Sequence, residues 1–158
     1  MITMNDVVGD ADRFVAVCRD HNLKITPQRT AIYTMLRNCR DHPSADQVYR
    51  LIKKDFPNIS FETVNRTLLI FASIGLISIV ESTSGVRRFD PDLNSHHHMH
   101  CIRCGKIIDF QHAGYDALEV PEALYEEFPV LAKRVVLHVI CPSCLQSGEE
   151  GSAGGVVA

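Results

Sequence analysis

No stretch of this 158-residue chain stays apolar long enough to cross a bilayer, which takes roughly 20 consecutive apolar residues as a helix. The opening run, MITMNDVVGDADRF, is acidic and lacks the basic and apolar regions of a secretory signal, so a cytoplasmic protein with no membrane partner is expected. No internal repeat is visible. No charge sign dominates, since 16 Lys/Arg stand against 19 Asp/Glu for a net charge of -3, which argues against nucleic-acid binding by bulk charge alone. The balance is uneven, however. Residues 1–91 carry 12 Lys/Arg against 10 Asp/Glu and residues 92–158 carry 4 against 9, so the basic excess sits in the N-terminal half. No histidine is followed two residues later by Glu, and the last Cys pair reads C-P-S-C, whereas a nucleobase deaminase needs H-x-E and P-C-x-x-C around a zinc with an open position. The chain is therefore not expected to be an enzyme.

What is present is metal chemistry. Cys101 and Cys104 form one C-x-x-C pair and Cys141 and Cys144 a second. A single pair would suit a redox dithiol beside a βαβ pattern, but nothing here reads as βαβ. Four thiolates suit a tetrahedral soft-ligand cation with no position left for chemistry, so a structural zinc is expected. Cys18 and Cys39, each inside a helical pattern, read as core or boundary thiols. Just before the first pair runs His96-His97-His98-Met99-His100. On a strand, His96 and His98 share one face while His97 and Met99 take the other, so one strand is able to feed a second metal.

The N-terminal half reads as helical. A first helix spans about 5–21, with Val8, Phe14, Val15, Val17 and Cys18 as its apolar positions. A second begins at Pro27, where a missing N–H costs nothing, and turns Ile32, Met35 and Leu36 inward. Ser44 opens a third with a capping box completed by Gln47, and Val48, Leu51 and Ile52 are expected in the core. A fourth runs from Ser60 to Gly75 with Val64, Leu68, Phe71 and Ile74 at helical spacing. That leaves Thr63, Asn65 and Arg66 on the polar side near its start, where a recognition helix presents groups to a major groove. GLISIVE and VRRFD follow as two strands joined by STSG, and helices followed by such a hairpin make a winged helix. Arg87 and Arg88 on the wing would neutralise phosphates without reading sequence. After Asn94 come a strand through the histidines, a turn at Arg103–Gly105, a strand KIIDF, a helix near 116–127 and a strand KRVVLHVI. The Gly/Ser-rich end is expected to be disordered.

Taken together, ITPQR, HPSADQVY, FPNISFETVNRTL, GLI, RFD, the histidine cluster, CGKIIDF and CPSC resemble the winged-helix metalloregulators typified by the ferric uptake regulator, and within them the peroxide-sensing repressors. The resemblance covers roughly residues 14–145. It implies an α+β dimeric transcriptional repressor. A winged-helix DNA-binding domain would occupy residues 1–91, a small α/β dimerisation and metal-binding domain 92–146, and a disordered tail 147–158. Carried over residue by residue, the structural zinc falls on Cys101, Cys104, Cys141 and Cys144. A regulatory Fe(II) or Mn(II) falls on His42, Asp90, His96, His98 and Asp109. Asp at both 90 and 109 is similar to the peroxide sensors, in which Fe(II) and hydrogen peroxide oxidise histidine ligands, here His42 and His96. The alternative is an iron- or manganese-responsive uptake regulator without peroxide sensing. The partner implied is an AT-rich inverted repeat of double-stranded DNA. Lys24 would reach toward a minor groove, and Arg29, Ser60, Thr63, Asn65, Arg66, Arg87 and Arg88 complete the expected contacts. Asn65 stands where the family usually has Tyr, which exchanges an apolar contact for an amide whose natural partner is adenine. A further family metal site would map to Ser95, His97, Asp116 and Lys133, and two of these are not usual ligands, so that site is not expected. His100 is an additional histidine without an assigned role, and His21, His112 and His138 read as structural or surface residues.

Overall fold

The computed structural model describes residues 4–80 and 85–147. The side chain of Val8, the turn STSG apart from Gly85, and the tail beyond residue 147 lie outside the described residues. The backbone divides into two compact units, one comprising residues 4–80 together with 85–93, the other comprising 94–147.

The first unit strings together α1 (Met4–Asp20), α2 (Pro27–Asn38), α3 (Ala45–Ile52), α4 (Phe61–Ser73) and the antiparallel strands β1 (Ser78–Val80) and β2 (Arg88–Asp90). This is a winged-helix unit, and each helix start follows from local chemistry. Thr26 caps α2 by accepting from the Arg29 N–H, with Pro27 in the first turn. Ser44 and Gln47 make a reciprocal capping box at α3, and Ser60 accepts from the Thr63 N–H at α4. Beyond α4, Gly75 takes φ +75, a left-handed conformation that lets the chain turn into β1. The helices close around Phe14, Tyr33 and Phe71. Phe14 stacks on Tyr33 at 4.8 Å, and Phe71 meets both edge-on at 5.8 and 6.1 Å. Val48, Ile52, Val64, Leu68, Leu76, Ile77 and Phe89 complete one core, each buried apolar side chain contributing roughly 1.5–3 kcal/mol. Leu51 departs from expectation. It is 42% exposed, because α3 is only eight residues long and its inward stripe is the i, i+4 pair Val48 and Ile52.

The second unit is a three-stranded sheet in the order β4-β3-β5, with β3 at His97–Cys101, β4 at Ile107–Phe110 and β5 at Val136–Val139. β3 pairs with β4 antiparallel through the turn that contains Gly105, and with β5 parallel. A parallel neighbour needs a long crossover, which residues 111–135 supply. The helix expected near 116–127 is in fact two short ones, α5 (Ala113–Asp116) and α6 (Glu122–Glu127). Pro121 separates them, since it lacks an N–H and drives the residue before it out of helical conformation. A last helix, α7 (Pro142–Gln146), begins between the two cysteines of C-P-S-C. The buried apolar residues of this unit are few, namely Cys101, Ile107 and Cys141.

Candidate metal centres and nucleic-acid interface

The four cysteines expected to act together are together. Cys101 ends β3, Cys104 lies in the following turn, Cys141 immediately precedes α7 and Cys144 sits inside it. Their sulfurs all lie within 4.8 Å of one another. Cys101 and Cys144 approach to 3.9 Å, and Cys104 and Cys141 to 3.7 Å. Four sulfurs about 2.3 Å from a tetrahedral zinc would stand about 3.8 Å apart, so the cage fits that ion. The electrostatics agree. Burial opposes ionisation of Cys101, but hydrogen bonds from the backbone at Cys104, Cys141 and Arg103 and from the Cys104 thiol outweigh it and bring its pKa to about 6. Hydrogen bonding to Cys141, together with burial and the neighbouring sulfurs, pushes Cys144 up to about 12. Four thiols this close share their protons, and a dication is what allows all of them to ionise.

A second group lies on one face of the same sheet. In the β3–β4 register His98 is directly opposite Asp109, and His96, two residues earlier, shares that face. The Nε2 atoms of His96 and His98 are 3.0 Å apart, and Asp109 Oδ1 lies 3.7 Å from the first and 3.4 Å from the second. His96 Nδ1 is 2.8 Å from the Asn94 carbonyl oxygen, to which it donates, so its Nε2 lone pair points toward His98 and Asp109. A carbonyl that holds the outer ring nitrogen is how a metal-binding imidazole is oriented. Bonds of about 2.1 Å would set neighbouring octahedral donors about 3 Å apart, the separation of the two imidazole nitrogens, with the Asp109 oxygen a few tenths of an ångström farther out. Both imidazoles are buried while Asp109 is 40% exposed.

In the first unit, His42 and Asp90 form a pair of their own. His42 Nε2 lies 3.6 Å from Asp90 Oδ2, and both side chains are buried. His42 has φ +45, which a β-carbon makes costly, on the order of 1 kcal/mol or more, and which persists only where neighbours enforce it. The carboxylate of Asp90 also accepts from the Asp92 N–H at 2.8 Å.

The opposite face of β3 carries His97, which packs against Phe110 and Tyr115. Its Nδ1 accepts from the Val135 N–H, its Nε2 is 3.4 Å from Asp116 Oδ1, and the Ser95 hydroxyl donates to the same carboxylate oxygen. Lys133 instead donates to the Leu118 carbonyl. A ring nitrogen that accepts from a backbone N–H leaves the proton on Nε2, a tautomer without a free lone pair toward Asp116. His100, on the His96 face, is buried between His98 and His138, with ring centres at 5.9 and 6.2 Å. His138 itself is exposed.

The expected DNA contacts fall into two groups. Ser60, Thr63 and Arg66 lie exposed on the first turns of α4, with Asn65 half-buried beside them. Arg66 pairs loosely with Glu62 at 3.2 Å. Lys24 is exposed before α2, and its carbonyl accepts from Arg29 Nη1 at 2.6 Å. Arg87 is exposed, but Arg88 is half-buried and its Nη1 donates to Gln47 Oε1 at 2.8 Å. Sequence reasoning overlooked that link, the Asn94 carbonyl and α7. Only the last had a local signal, a Pro after a capping position.

The comparisons agree with this picture. The profile of the ferric uptake regulator family matches residues 20–138. The peroxide-responsive repressor PerR of Staphylococcus aureus is 32% identical over 143 residues, covering 90% of this chain and 97% of that protein. The Helicobacter pylori ferric uptake regulator superposes with a TM-score of 0.74 at 22% identity, covering 89% of this chain and 95% of that one. The ferric uptake regulator of Pseudomonas aeruginosa, solved with manganese, gives a TM-score of 0.65 at 29% identity and covers 79% and 95% of the respective chains.

Proposed function

The chain belongs to the ferric uptake regulator family, and from that premise we propose that it is a homodimeric, metal-dependent repressor that senses hydrogen peroxide. Regulators of this family are dimeric DNA-binding proteins, and among the described residues no helix is long and apolar enough to cross a membrane. The cytoplasm is the compartment that suits both the DNA partner and four reduced thiols.

In this reading Cys101, Cys104, Cys141 and Cys144 hold a structural zinc, and His42, Asp90, His96, His98 and Asp109 hold Fe(II) or Mn(II). The observation that carries it is the His96–His98–Asp109 triangle, in which two imidazoles are buried with their Nε2 atoms 3.0 Å apart. A mixed nitrogen and oxygen donor set suits these ions and exchanges them more readily than a thiolate cage. Residues 1–91 would serve as the DNA-binding domain and 92–146 as the dimerisation domain. Because His42 and Asp90 belong to the first and the other ligands to the second, metal binding would favour the arrangement of domains that brings all five together. The shift is limited to the metal's differential affinity for that arrangement. Thr63, Asn65 and Arg66 would face base edges of an AT-rich inverted repeat, with Ser60, Lys24, Arg29 and Arg87 nearby. Exposed apolar side chains between β4 and β5 support dimerisation through the second domain, since Leu118, Leu124, Tyr125, Phe128 and Leu131 all stand exposed, Leu131 at 92%.

Fe(II) held by these ligands would promote cleavage of the peroxide O–O bond, one oxygen leaving as water and the other ending on a carbon of a ligand imidazole, His42 or His96, whose C–H bond would give up the two electrons that peroxide takes. A ring so oxidised would no longer offer the metal the same lone pair, and the ligand set would be lost. The test loads the protein with Fe(II) or Mn(II), adds a small dose of hydrogen peroxide, and follows DNA binding alongside peptide mass spectrometry. Fe(II) protein is expected to gain one oxygen on peptides containing His42 or His96 and to release DNA, while Mn(II) protein stays bound. Fe(II)-dependent binding that survives peroxide unmodified would make the protein an iron-responsive regulator, and oxidation confined to cysteines would make it a thiol switch.

A further inference from the structure

Three consecutive residues of β2 grip the loop that carries His42. The Arg88 guanidinium reaches the His42 carbonyl at 3.5 Å, the Phe89 N–H donates to the Pro43 carbonyl at 3.0 Å, and the Asp90 carboxylate faces the His42 ring at 3.6 Å. Arg88 is itself anchored, because the same Nη1 donates to Gln47 Oε1 at 2.8 Å. Gln47 Oε1 also accepts from the Ser44 N–H at 2.8 Å, so one amide oxygen serves both the α3 capping box and the β2 arginine. On the far side of Asp90, Arg37 donates to the Pro91 carbonyl at 2.7 Å. His42 is held with φ +45, a conformation that a histidine adopts only when its surroundings impose it.

We propose that Arg88 and Gln47 are positioning residues for the regulatory metal: through the His42 carbonyl they hold the left-handed His42 peptide so that its imidazole stands ready beside Asp90. These bonds engage Nη1 of Arg88 and leave its Nη2 N–H groups, beside Arg87, for a phosphate. The role also joins ligand, wing strand and α3 in one hydrogen-bonded unit, so occupancy at His42 is felt directly by β2. This inference rests on the assignment of His42 and Asp90 as ligands.

The test measures Mn(II) affinity of the full-length zinc-loaded dimer by electron paramagnetic resonance of the free ion, for wild type and H42A, R88A, Q47A, Q47E and S44A. Arg88→Ala and Gln47→Ala are expected to weaken Mn(II) binding about tenfold, the lower end for a partner that orients a ligand. Zinc content and dimer mass should not change. Gln47→Glu, whose carboxylate still accepts from Arg88 and from the Ser44 N–H, should restore affinity. Ser44→Ala removes the cap hydroxyl but leaves the Arg88–Gln47 bond, and should lower thermal stability with little effect on Mn(II). Equal Mn(II) affinity in wild type and R88A, with H42A impaired, would overturn the positioning role alone. Loss of affinity in S44A matching that in R88A would reduce the role to helix stability and overturn it as well. If H42A binds Mn(II) as tightly as wild type, the ligand assignment falls and this inference with it.

Discussion

Arg66 stands on the exposed side of α4, and it pairs with Glu62, one turn earlier at 3.2 Å with both side chains well exposed. An exposed pair of this kind contributes from nothing to about 1 kcal/mol, so a guanine edge or a phosphate readily draws the guanidinium away. Arg66→Ala is therefore expected to reduce discrimination between operator and mismatched DNA by about 1–3 kcal/mol in titrations at fixed salt. Unchanged discrimination would remove α4 as the reading element. A different residue-scale prediction concerns thiols. Cys18 is fully buried, and burial raises its pKa above the ordinary 9.0 despite the opposing influence of Arg29. Cys39 is raised by burial and by Asp41. A raised folded pKa means that both thiols favour the folded state below about pH 9 and that this contribution disappears as pH rises through the folded value. At pH 8 iodoacetamide should leave Cys18 unmodified in native protein and label it in denaturant. Rapid native labelling would contradict its burial. At this scale the sequence was most informative where chain geometry is local. His96 and His98 follow from strand alternation, whereas Asp109 came by resemblance and its place opposite His98 is a matter of register that only the structure gives. His42 and Asp90 could be recognised only by resemblance, because they meet through tertiary packing and a positive φ that no local pattern announces.

Helix starts were legible because a cap is a short-range hydrogen bond. Ser44 with Gln47, and Ser60, each satisfy orphan N–H groups within three residues, while α2 was marked by Pro27 and its Thr26 cap emerged only in the structure. Apolar spacing also served α4, where Val64, Leu68 and Phe71 are fully buried. Truncating one of these costs its transfer energy and leaves a cavity, so Leu68→Ala should destabilise the first unit by about 2–5 kcal/mol in chemical denaturation. A loss below 1 kcal/mol would show that α4 does not pack as described. Elements failed to be legible where two signals competed. A single helix was expected near 116–127, and Pro121 divides that segment. Leu51 has the right spacing for a core position, but on an eight-residue helix Val48 and Ile52 take the inward face. Arg88 lies in a strand that reads as a wing, and its partner Gln47 is 41 residues away.

The two units differ in what holds them together. The first has one apolar core contributed by four helices and β2, with Phe14, Tyr33 and Phe71 in mutual ring contact. The second buries Cys101, Ile107 and Cys141 as its apolar residues while Leu118, Tyr125, Phe128 and Leu131 remain exposed. A segment of about 54 residues with so small an interior depends on a metal or on a partner for its stability. The thiolate cage joins the end of β3 to α7, elements 40 residues apart, so zinc closes a large loop and its binding energy is folding energy for this unit. Removing zinc with a strong chelator should therefore unfold residues 94–147 and dissociate the dimer, while the first unit persists. Hydrogen exchange by mass spectrometry should show β3, β4 and β5 losing protection at once and α2 and α4 keeping it. The same outcome is expected for Cys101→Ser without chelator, because the remaining three sulfurs no longer close the tetrahedron. A dimer that survives chelation with β3 still protected would show that apolar contact between copies, not zinc, holds the second unit folded.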